Sequence, residues 1–275
     1  MASVDLNGDG APDVAWARND FFNNQMNVQL NLGDGTLGPS VGYPAQSQSN
    51  DIAAGDLDGD GDSDLVVISQ GDNLANHIID LYFNNGQGSF THQTASGGTG
   101  PRKLALADLD NDGDLDLAMT NYWASSNDIS VLKNNGNGTF TPETRYVVGS
   151  QPSGITAADL DGDGDRDLAV VRREGMTLKV HLLLNDGNGG FSLAATLTLN
   201  VFATDPVIAS ADWDGDGDRD LAVAAIGTEQ VHILWNLGNL NFSPQVLFTK
   251  PTGSRLLTCA WRMWMQTVIP TCSVQ

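Results

Sequence analysis

The stretch "DLDGDGDSDL", residues 56–65, places a carboxylate at every second position of a nine-residue run: Asp56, Asp58, Asp60, Asp62 and Asp64. Packed this closely, like charges repel one another in a free chain. The stretch recurs as "DLNGDGAPDV" from Asp5, "DLDNDGDLDL" from Asp108, "DLDGDGDRDL" from Asp159 and "DWDGDGDRDL" from Asp212. The first aspartates are 51, 52, 51 and 53 residues apart. A tandem repeat with a period near 50 residues signals a solenoid or a propeller.

The rest of each period reads as β structure. A short run of apolar and small residues precedes each loop from the second on: "DIAAG", "KLALA", "GITAA", "VIASA". A buried-strand run follows it: "LVVIS", "LAMTN", "LAVVR", "LAVAA". After a variable segment comes another strand, as in "HIIDLYF", "DISVLK", "LKVHLLL" and "QVHILW". Turns then read "NNGQGSF" at Asn84, "NNGNGTF" at Asn134 and "NDGNGGF" at Asn185, with looser copies at Asn31 and Asn236. Asn-Gly and Asp-Gly pairs supply the positive φ of a tight hairpin, and the Phe restarts a fourth strand. No segment sustains a helical period. Four strands per 50 residues make a propeller blade, so the expected fold is an all-β propeller of five four-stranded antiparallel blades. A parallel β-helix needs a much shorter period. A pair of sandwiches gives no reason for regular repetition.

Within each loop, positions one, three and five carry Asp or Asn, position six Gly and position nine Asp. Alternate side chains of a tightly turning loop converge on one point, and the glycine permits the turn. Position seven can offer its backbone carbonyl, and Ala11 at that position shows that a side-chain ligand there is dispensable. Hard oxygen ligands with high charge and flexible geometry select calcium over transition metals and over magnesium. A cation turns the clustered carboxylates from a cost into a folding-coupled site. The loop is not an EF-hand: position twelve is Val67 rather than Glu, and no flanking helices are expected.

Composition agrees. The chain has 275 residues, 40% hydrophobic, enough for a sizeable core. No apolar run can span a bilayer, and Met1–Asp5 shows neither a basic nor a hydrophobic signal region. The net charge of −21 lies wholly in the five loops, which hold 23 of the 34 acidic residues and two basic ones, Arg166 and Arg219. Such a surface favours neither nucleic acid nor anionic membrane. The only cysteines, Cys259 and Cys272, are too few for a disulfide framework or a zinc site.

These loops and hairpins resemble the FG-GAP/VCBS repeat family, best known from the integrin alpha-subunit propeller. The D-x-D-x-D-G-x-x-D loop and the L-x-N-x-G-x-G-x-F hairpin carry the resemblance, over about residues 1–258. It implies a propeller with calcium between the first two strands of each blade, up to five ions, in a protein that is usually extracellular or at the cell surface. By position, the implied ligands are Asp5, Asn7, Asp9 and Asp13; Asp56, Asp58, Asp60 and Asp64; and Asp108, Asp110, Asp112 and Asp116. They continue with Asp159, Asp161, Asp163 and Asp167, then Asp212, Asp214, Asp216 and Asp220. The Asn7 loop has one carboxylate fewer and is expected to bind most weakly.

The ends depart from the repeat. The strand that should precede Asp5 reads as absent, and residues 259–275 abandon the pattern. Met263-Trp264-Met265 must be encoded ATG TGG ATG. With a preceding G, the shifted frame reads GAT GTG GAT, Asp-Val-Asp, where a sixth loop is due. The tail is therefore expected to be a frameshifted sixth repeat of a larger propeller, the alternative being an unrelated tail carrying two free thiols. A coding sequence whose shifted frame lacks the further aspartates would remove that idea.

The functional expectation is a calcium-stabilised scaffold for protein or carbohydrate recognition and adhesion, not an enzyme. Phe21, Phe22, Tyr122 and Trp123 lie in the variable loops and can stack on a sugar or anchor a partner, or pack between blades. Trp213 reads as a packing substitution. The alternatives are a polysaccharide-active enzyme on the same scaffold and a structural module of a larger surface protein. Of the four histidines, His181 and His232 fall in strand-like runs and read as core; His77 and His92 complete the set. Arg172-Arg173-Glu174 can form a site, but reads rather as a solvated turn. No nucleophile elbow, P-loop or zinc helix occurs.

Overall fold

The computed structural model describes residues 1–18, 24–70, 78–122, 126–228 and 230–249. They form five four-stranded antiparallel sheets, each with its strands in sequence order and with the topology of a propeller blade. The first holds β1 (Ala2–Val4), β2 (Asp13–Ala17), β3 (Gln25–Gln29) and β4 (Val41–Pro44). The second holds β5 (Ser49–Gly55), β6 (Asp64–Ser69), β7 (Ile78–Asn84) and β8 (Phe90–Ser96). In the third are β9 (Pro101–Ala107), β10 (Asp116–Asn121), β11 (Asp128–Leu132) and β12 (Thr144–Val147). The fourth comprises β13 (Pro152–Ala158), β14 (Asp167–Glu174), β15 (Thr177–Asn185) and β16 (Phe191–Leu199). The fifth comprises β17 (Val207–Ala211), β18 (Asp220–Ala225), β19 (Gln230–Asn236) and β20 (Phe242–Thr249). No helix occurs among the described residues. The sequence tail, residues 259–275, lies outside them, as do Phe21, Phe22, His77 and Trp123.

Two expectations about strands need correction. The strand before Asp5 is present: β1 pairs with β2 through Ala2↔Ala15, Ser3↔Val14 and Val4↔Asp13. Three residues carry no readable period, yet the loop brings them opposite a strand and pairing follows. A Phe opens the fourth strand at Phe90, Phe191 and Phe242, but Phe140 makes only an isolated bridge to Asn134, and β12 starts at Thr144.

The chain divides into two compact units. One contains the first two sheets and most of the third; the other contains the fourth and fifth sheets together with Leu109–Asn111. The second strand of the second to fifth blades is buried on both faces over its first six residues, which is why it reads as a continuous apolar run, whereas β2 is only partly buried at Val14, Trp16 and Ala17. In the first unit, Leu6, Ala15, Met26 and Val28 meet Ile52, Leu65, Val67 and Tyr82. The alternate residues Val66 and Ile68, with Leu57, Ile79, Leu81 and Phe83, meet Leu104, Leu117, Met119 and Leu132 of the third sheet. In the second unit, Leu160, Ala169, Val171, Val180 and Leu182 pack on Ile208, Leu221, Val223 and Leu234. Each fully buried Leu, Ile or Val contributes about 1.5–3 kcal/mol. Trp213 packs, partly buried, against a cluster built from β17, β18 and β19, in keeping with a packing role.

A buried polar residue stands four positions before the hairpin Asn in every third strand: Asn27, Asp80, Ser130, His181 and His232. Three of them help to hold the segment entering their own blade. Asp80 Oδ2 accepts from the Gln46 amide at 3.0 Å, and its Oδ1 meets His92 Nε2 at 2.8 Å. Ser130 donates to Glu143 Oε2, which accepts the Gly98 amide, both at 2.7 Å. Arg172 Nε reaches the Val148 carbonyl and His181 Nε2, each at 3.0 Å. This corrects the reading of Arg172 as part of a solvated turn. It is 9% exposed because β14 runs on to Glu174, so the turn falls at Gly175 and Met176.

Candidate metal centre

Each acidic loop closes between the first and second strands of its blade. The residue before it pairs with position nine, as in Gly55↔Asp64 and Ala158↔Asp167. Inside the loop the position-one carboxylate organises the turn. Asp56 Oδ1 accepts from Gly59 N at 2.8 Å and Oδ2 from Gly61 N at 3.0 Å. Asp5, Asp159 and Asp212 make the same two bonds, and Asp108 accepts from Gly113 N at 3.1 Å. The bond from Gly10, with further amide bonds, holds the Asp5 carboxyl below its ordinary range.

These bonds require positive φ at positions four and six. Position six is Gly throughout, as expected, with φ 90° at Gly61. Position four has the same demand, and the sequence reading passed over it. Asn111, at φ 61°, stands where the other loops have Gly, and Asn tolerates that region better than most residues. Its side chain is put to use: Nδ2 donates to Asp165 Oδ1 at 2.7 Å and to the Gly187 carbonyl at 3.2 Å.

Position nine opens the second strand and is buried. Asp64 Oδ2 accepts the Leu57 amide at 2.9 Å, and Oδ1 accepts the Asn84 amide at 2.8 Å. Asp13, Asp167 and Asp220 repeat both bonds. Desolvation nevertheless pushes the carboxyls of Asp64 and Asp167 up to about 6, against the two backbone bonds that lower them.

Positions one, three and nine come together. In Asp56, Asp58 and Asp64; Asp108, Asp110 and Asp116; Asp159, Asp161 and Asp167; and Asp212, Asp214 and Asp220, one oxygen of each residue lies within 4.8 Å of the other two. Four aspartate clusters can therefore hold metal ions. Asp58 Oδ1 and Asp108 Oδ1 are buried and accept no hydrogen bond, a costly state that a cation would relieve. Burial, then the charge of Asp60, raises the Asp58 carboxyl, and burial likewise comes first for Asp161 and Asp214. Carboxylate oxygens held close together, some without donors, fit a hard divalent cation.

The other predicted ligands sit differently. Position five lies outside these groups: Asp60, Asp112, Asp163 and Asp216 each accept the amide two residues on, at 2.9–3.0 Å. Position seven turns to its own hairpin; a Cβ on Gly86 would lie 2.6 Å from Asp62 Oδ2. In the first loop no three carboxylates group. Asn7 occupies position three, its Nδ2 donating to Asp9 Oδ2 at 3.0 Å while its Oδ1 accepts the Asp9 amide at 3.1 Å.

Sequence reasoning missed a second role for the hairpin asparagines. Asn84 Nδ2 donates to Leu6 O at 2.8 Å, Asn134 to Leu57 O at 2.8 Å, Asn185 to Leu109 O at 2.8 Å and Asn236 to Leu160 O at 2.9 Å. Each acceptor is position two of the preceding loop. The signal was an Asn at the start of all five hairpins, more constant than the turn itself.

The FG-GAP-like repeat model matches residues 5–67, 56–119, 121–170 and 159–223, and the FG-GAP repeat model matches 100–140. No curated protein matches the chain. Among solved structures, an Agrocybe aegerita lectin that recognises non-reducing terminal N-acetylglucosamine superposes with a TM-score of 0.61 at 23% identity, over 90% of this chain and 65% of the lectin. The exotype rhamnogalacturonan lyase YesX gives 0.46 at 14% identity, over 86% of this chain and 58% of the lyase. The V. cholerae biofilm matrix protein Bap1 gives 0.45 at 21% identity, over 86% of this chain and 37% of Bap1. The chain thus spans less than two thirds of each.

Proposed function

We propose that this chain, which belongs to the FG-GAP-like repeat family, is a calcium-stabilised β-propeller scaffold that presents a recognition surface for a protein or a glycan outside the cell. The observation that carries the calcium reading is the convergence of positions one, three and nine in four loops, with buried oxygens of Asp58 and Asp108 lacking any donor. Aspartates at positions five and thirteen of the chain, Asp5 and Asp13, with Asn7 and Asp9, would make a weaker fifth site. Asp60, Asp112, Asp163 and Asp216 would complete the other shells as the loops close on the ion. Residues 1–258 would form the propeller domain, with 259–275 as a separate tail. Calcium of extracellular concentration suits sites of this exposed kind.

Recognition by binding rather than by catalysis is supported by the state of the polar side chains. Arg172, His181 and Glu174 are committed to one another and to backbone. Asp80 and His92 are likewise paired, with Tyr82 stacked on the imidazole at 4.8 Å. Tyr122 lies under Arg102, 4.0 Å from ring centroid to guanidinium, beside the variable loop that carries Trp123. A lectin shares the fold, so the fold can carry a glycan site.

Thermal melting in calcium and in chelator tests the scaffold reading. A cation that binds the native state alone raises the Tm, and about 2.7 kcal/mol is gained at a hundredfold excess over Kd. An unchanged Tm would remove the calcium reading. A glycan array without turnover tests the recognition reading; hydrolysis or elimination of an arrayed glycan would replace it with the enzyme.

A further inference from the structure

The hairpin asparagine joins one cation loop to the next. In the first unit the connection runs from Asp64, which holds the Asn84 amide, through Asn84 Nδ2 to the Leu6 carbonyl, whose own amide is held by Asp13. It repeats from Asp116 through Asn134 to Leu57, whose amide is held by Asp64. In the second unit it runs from Asp220 through Asn236 to Leu160, whose amide is held by Asp167, and from Asp167 through Asn185 to Leu109. Every asparagine in the series is buried, and a second bond from its Nδ2 goes to position eight of its own loop: Ser63, Leu115, Arg166 or Arg219.

The point of attachment matters. The position-two carbonyl belongs to the peptide that joins position two to position three. Position three is a member of the carboxylate group: Asp58 after Leu57, Asp110 after Leu109, Asp161 after Leu160. The asparagine of one blade therefore orients the peptide that carries a ligand of the preceding blade. The same asparagine is itself held by position nine, a ligand of its own blade.

We propose that Asn84, Asn134, Asn185 and Asn236 are positioning residues that couple neighbouring cation sites, so that filling one loop raises the affinity of the loop before it, and the reverse. This rests on the calcium reading above. When an ion draws positions one, three and nine of a loop together, position nine is ordered and with it the Asn amide. The asparagine side chain then pins the preceding loop's position-three peptide. Part of the ordering that the preceding site must undergo has already been paid, which is a coupling free energy between two sites and reciprocal by linkage. Both faces of this relay run through buried hydrogen bonds, so they are little screened by water.

The test uses the full chain and calcium chloride. Amide hydrogen exchange is followed across the loops as calcium is titrated, in wild type, Asp214→Ala, Asn236→Ala and the double variant. Asp214→Ala removes one carboxylate from the fifth loop, where it groups with Asp212 and Asp220. Coupling predicts that the calcium midpoint for protection of residues 159–167 rises about fivefold, the low end of ordinary allosteric coupling. Residues 56–64, three relays away, should move far less, which separates coupling from a general loss of stability. In the Asn236→Ala background the Asp214 change should no longer move the fourth loop, the mark of a shared pathway. Calcium-dependent protection with an unmoved fourth-loop midpoint in Asp214→Ala overturns the coupling and leaves the calcium reading standing. No calcium-dependent protection in any loop overturns both.

Discussion

Asn84 Nδ2 donates to the carbonyl of Leu6 at 2.8 Å, across 78 residues of sequence and from one blade to the next. A turn residue in sequence terms is a cross-blade latch in the fold. Its amide oxygen also accepts from Asn85 N and Gly88 N, so a single buried side chain ties its own hairpin, its own loop and the preceding loop. Asn84→Ala should therefore lose about 3 kcal/mol, since it leaves the Leu6 and Ser63 carbonyls without this donor, each at about 1–3 kcal/mol. Urea unfolding in saturating calcium measures it. A loss under about 1 kcal/mol would mean that water replaces the latch.

Asp58 and Asp64 should differ in what they cost without calcium. Asp64 holds two backbone amides as well as facing the ion, so Asp64→Ala should destabilise the chain by about 2–4 kcal/mol in chelator and by more in calcium. Asp58 Oδ1 has no donor, and burial raises its carboxyl. Asp58→Ala should cost stability in calcium only, and be neutral or stabilising in chelator. Paired melting curves decide; equal losses for the two variants in chelator would refute the division of roles.

The first loop lacks the third carboxylate, and Asn7 is tied to Asp9 instead. Asn7→Asp should strengthen calcium binding there by about tenfold, because ligand charge tunes affinity in such sites. Calorimetric titration reads this as an added or tightened site. An unchanged isotherm would show that the carboxylate count is not what sets the first loop apart.

Gly138 and Gly35 occupy equivalent hairpin positions with φ 72° and 84°. A Cβ at Gly138 would lie 2.3 Å from the Phe83 ring, whereas nothing stands within 4 Å at Gly35. Gly35→Ala should cost about 1–2 kcal/mol, the left-handed strain alone. Gly138→Ala should cost clearly more, since the ring must move as well. Similar unfolding midpoints for the two would show that Phe83 yields freely.

Acid should weaken the fold through its buried imidazoles. Desolvation lowers His181, with the Arg172 charge adding to it, and desolvation alone lowers His232. Below about pH 6.5 the unfolded chain takes up these protons while the folded chain does not yet, so their contribution to stability falls as pH drops through that value towards the lowered one. In chelator, Asp64 and Asp167, raised to about 6, act with the opposite sign: the folded chain takes their protons first, so stability is lost as pH rises from the unfolded carboxylate value through 6. The comparison that isolates histidine is the difference in melting between wild type and a His181→Gln, His232→Gln variant at pH 7 and 5.5. A difference that does not change with pH would refute the imidazole contribution.

The loops and the second strands were legible because their signals are local. An Asp at every second position and an apolar run bounded by it need no partner to be recognised. β1 escaped notice since Ala2–Val4 is too short to show a period. The burial of Arg172 was equally hidden: a charged pair beside Glu174 reads as surface, and only the Val148 carbonyl and His181 show where the guanidinium is satisfied. Within the site, five alternating carboxylates look equivalent in sequence. The turn makes them unequal, aiming Asp56, Asp58 and Asp64 inward, bending Asp60 back onto its own loop and placing Asp62 against Gly86.

The sequence by itself determined the repeat, the strand order within a blade, the place of each acidic loop and the chemistry it favours, because each of these follows from side-chain pattern over a few residues. Tertiary structure alone decided which carbonyl each hairpin asparagine takes. Asn134 meets Leu57 and Asn236 meets Leu160, 77 and 76 residues away, and such a bond exists only when apolar faces such as those of Ile68 and Met119, or Val171 and Val223, have already packed one sheet against the next. Hydrogen bonds act over about 3 Å, so their partners are set by packing and not by the chain.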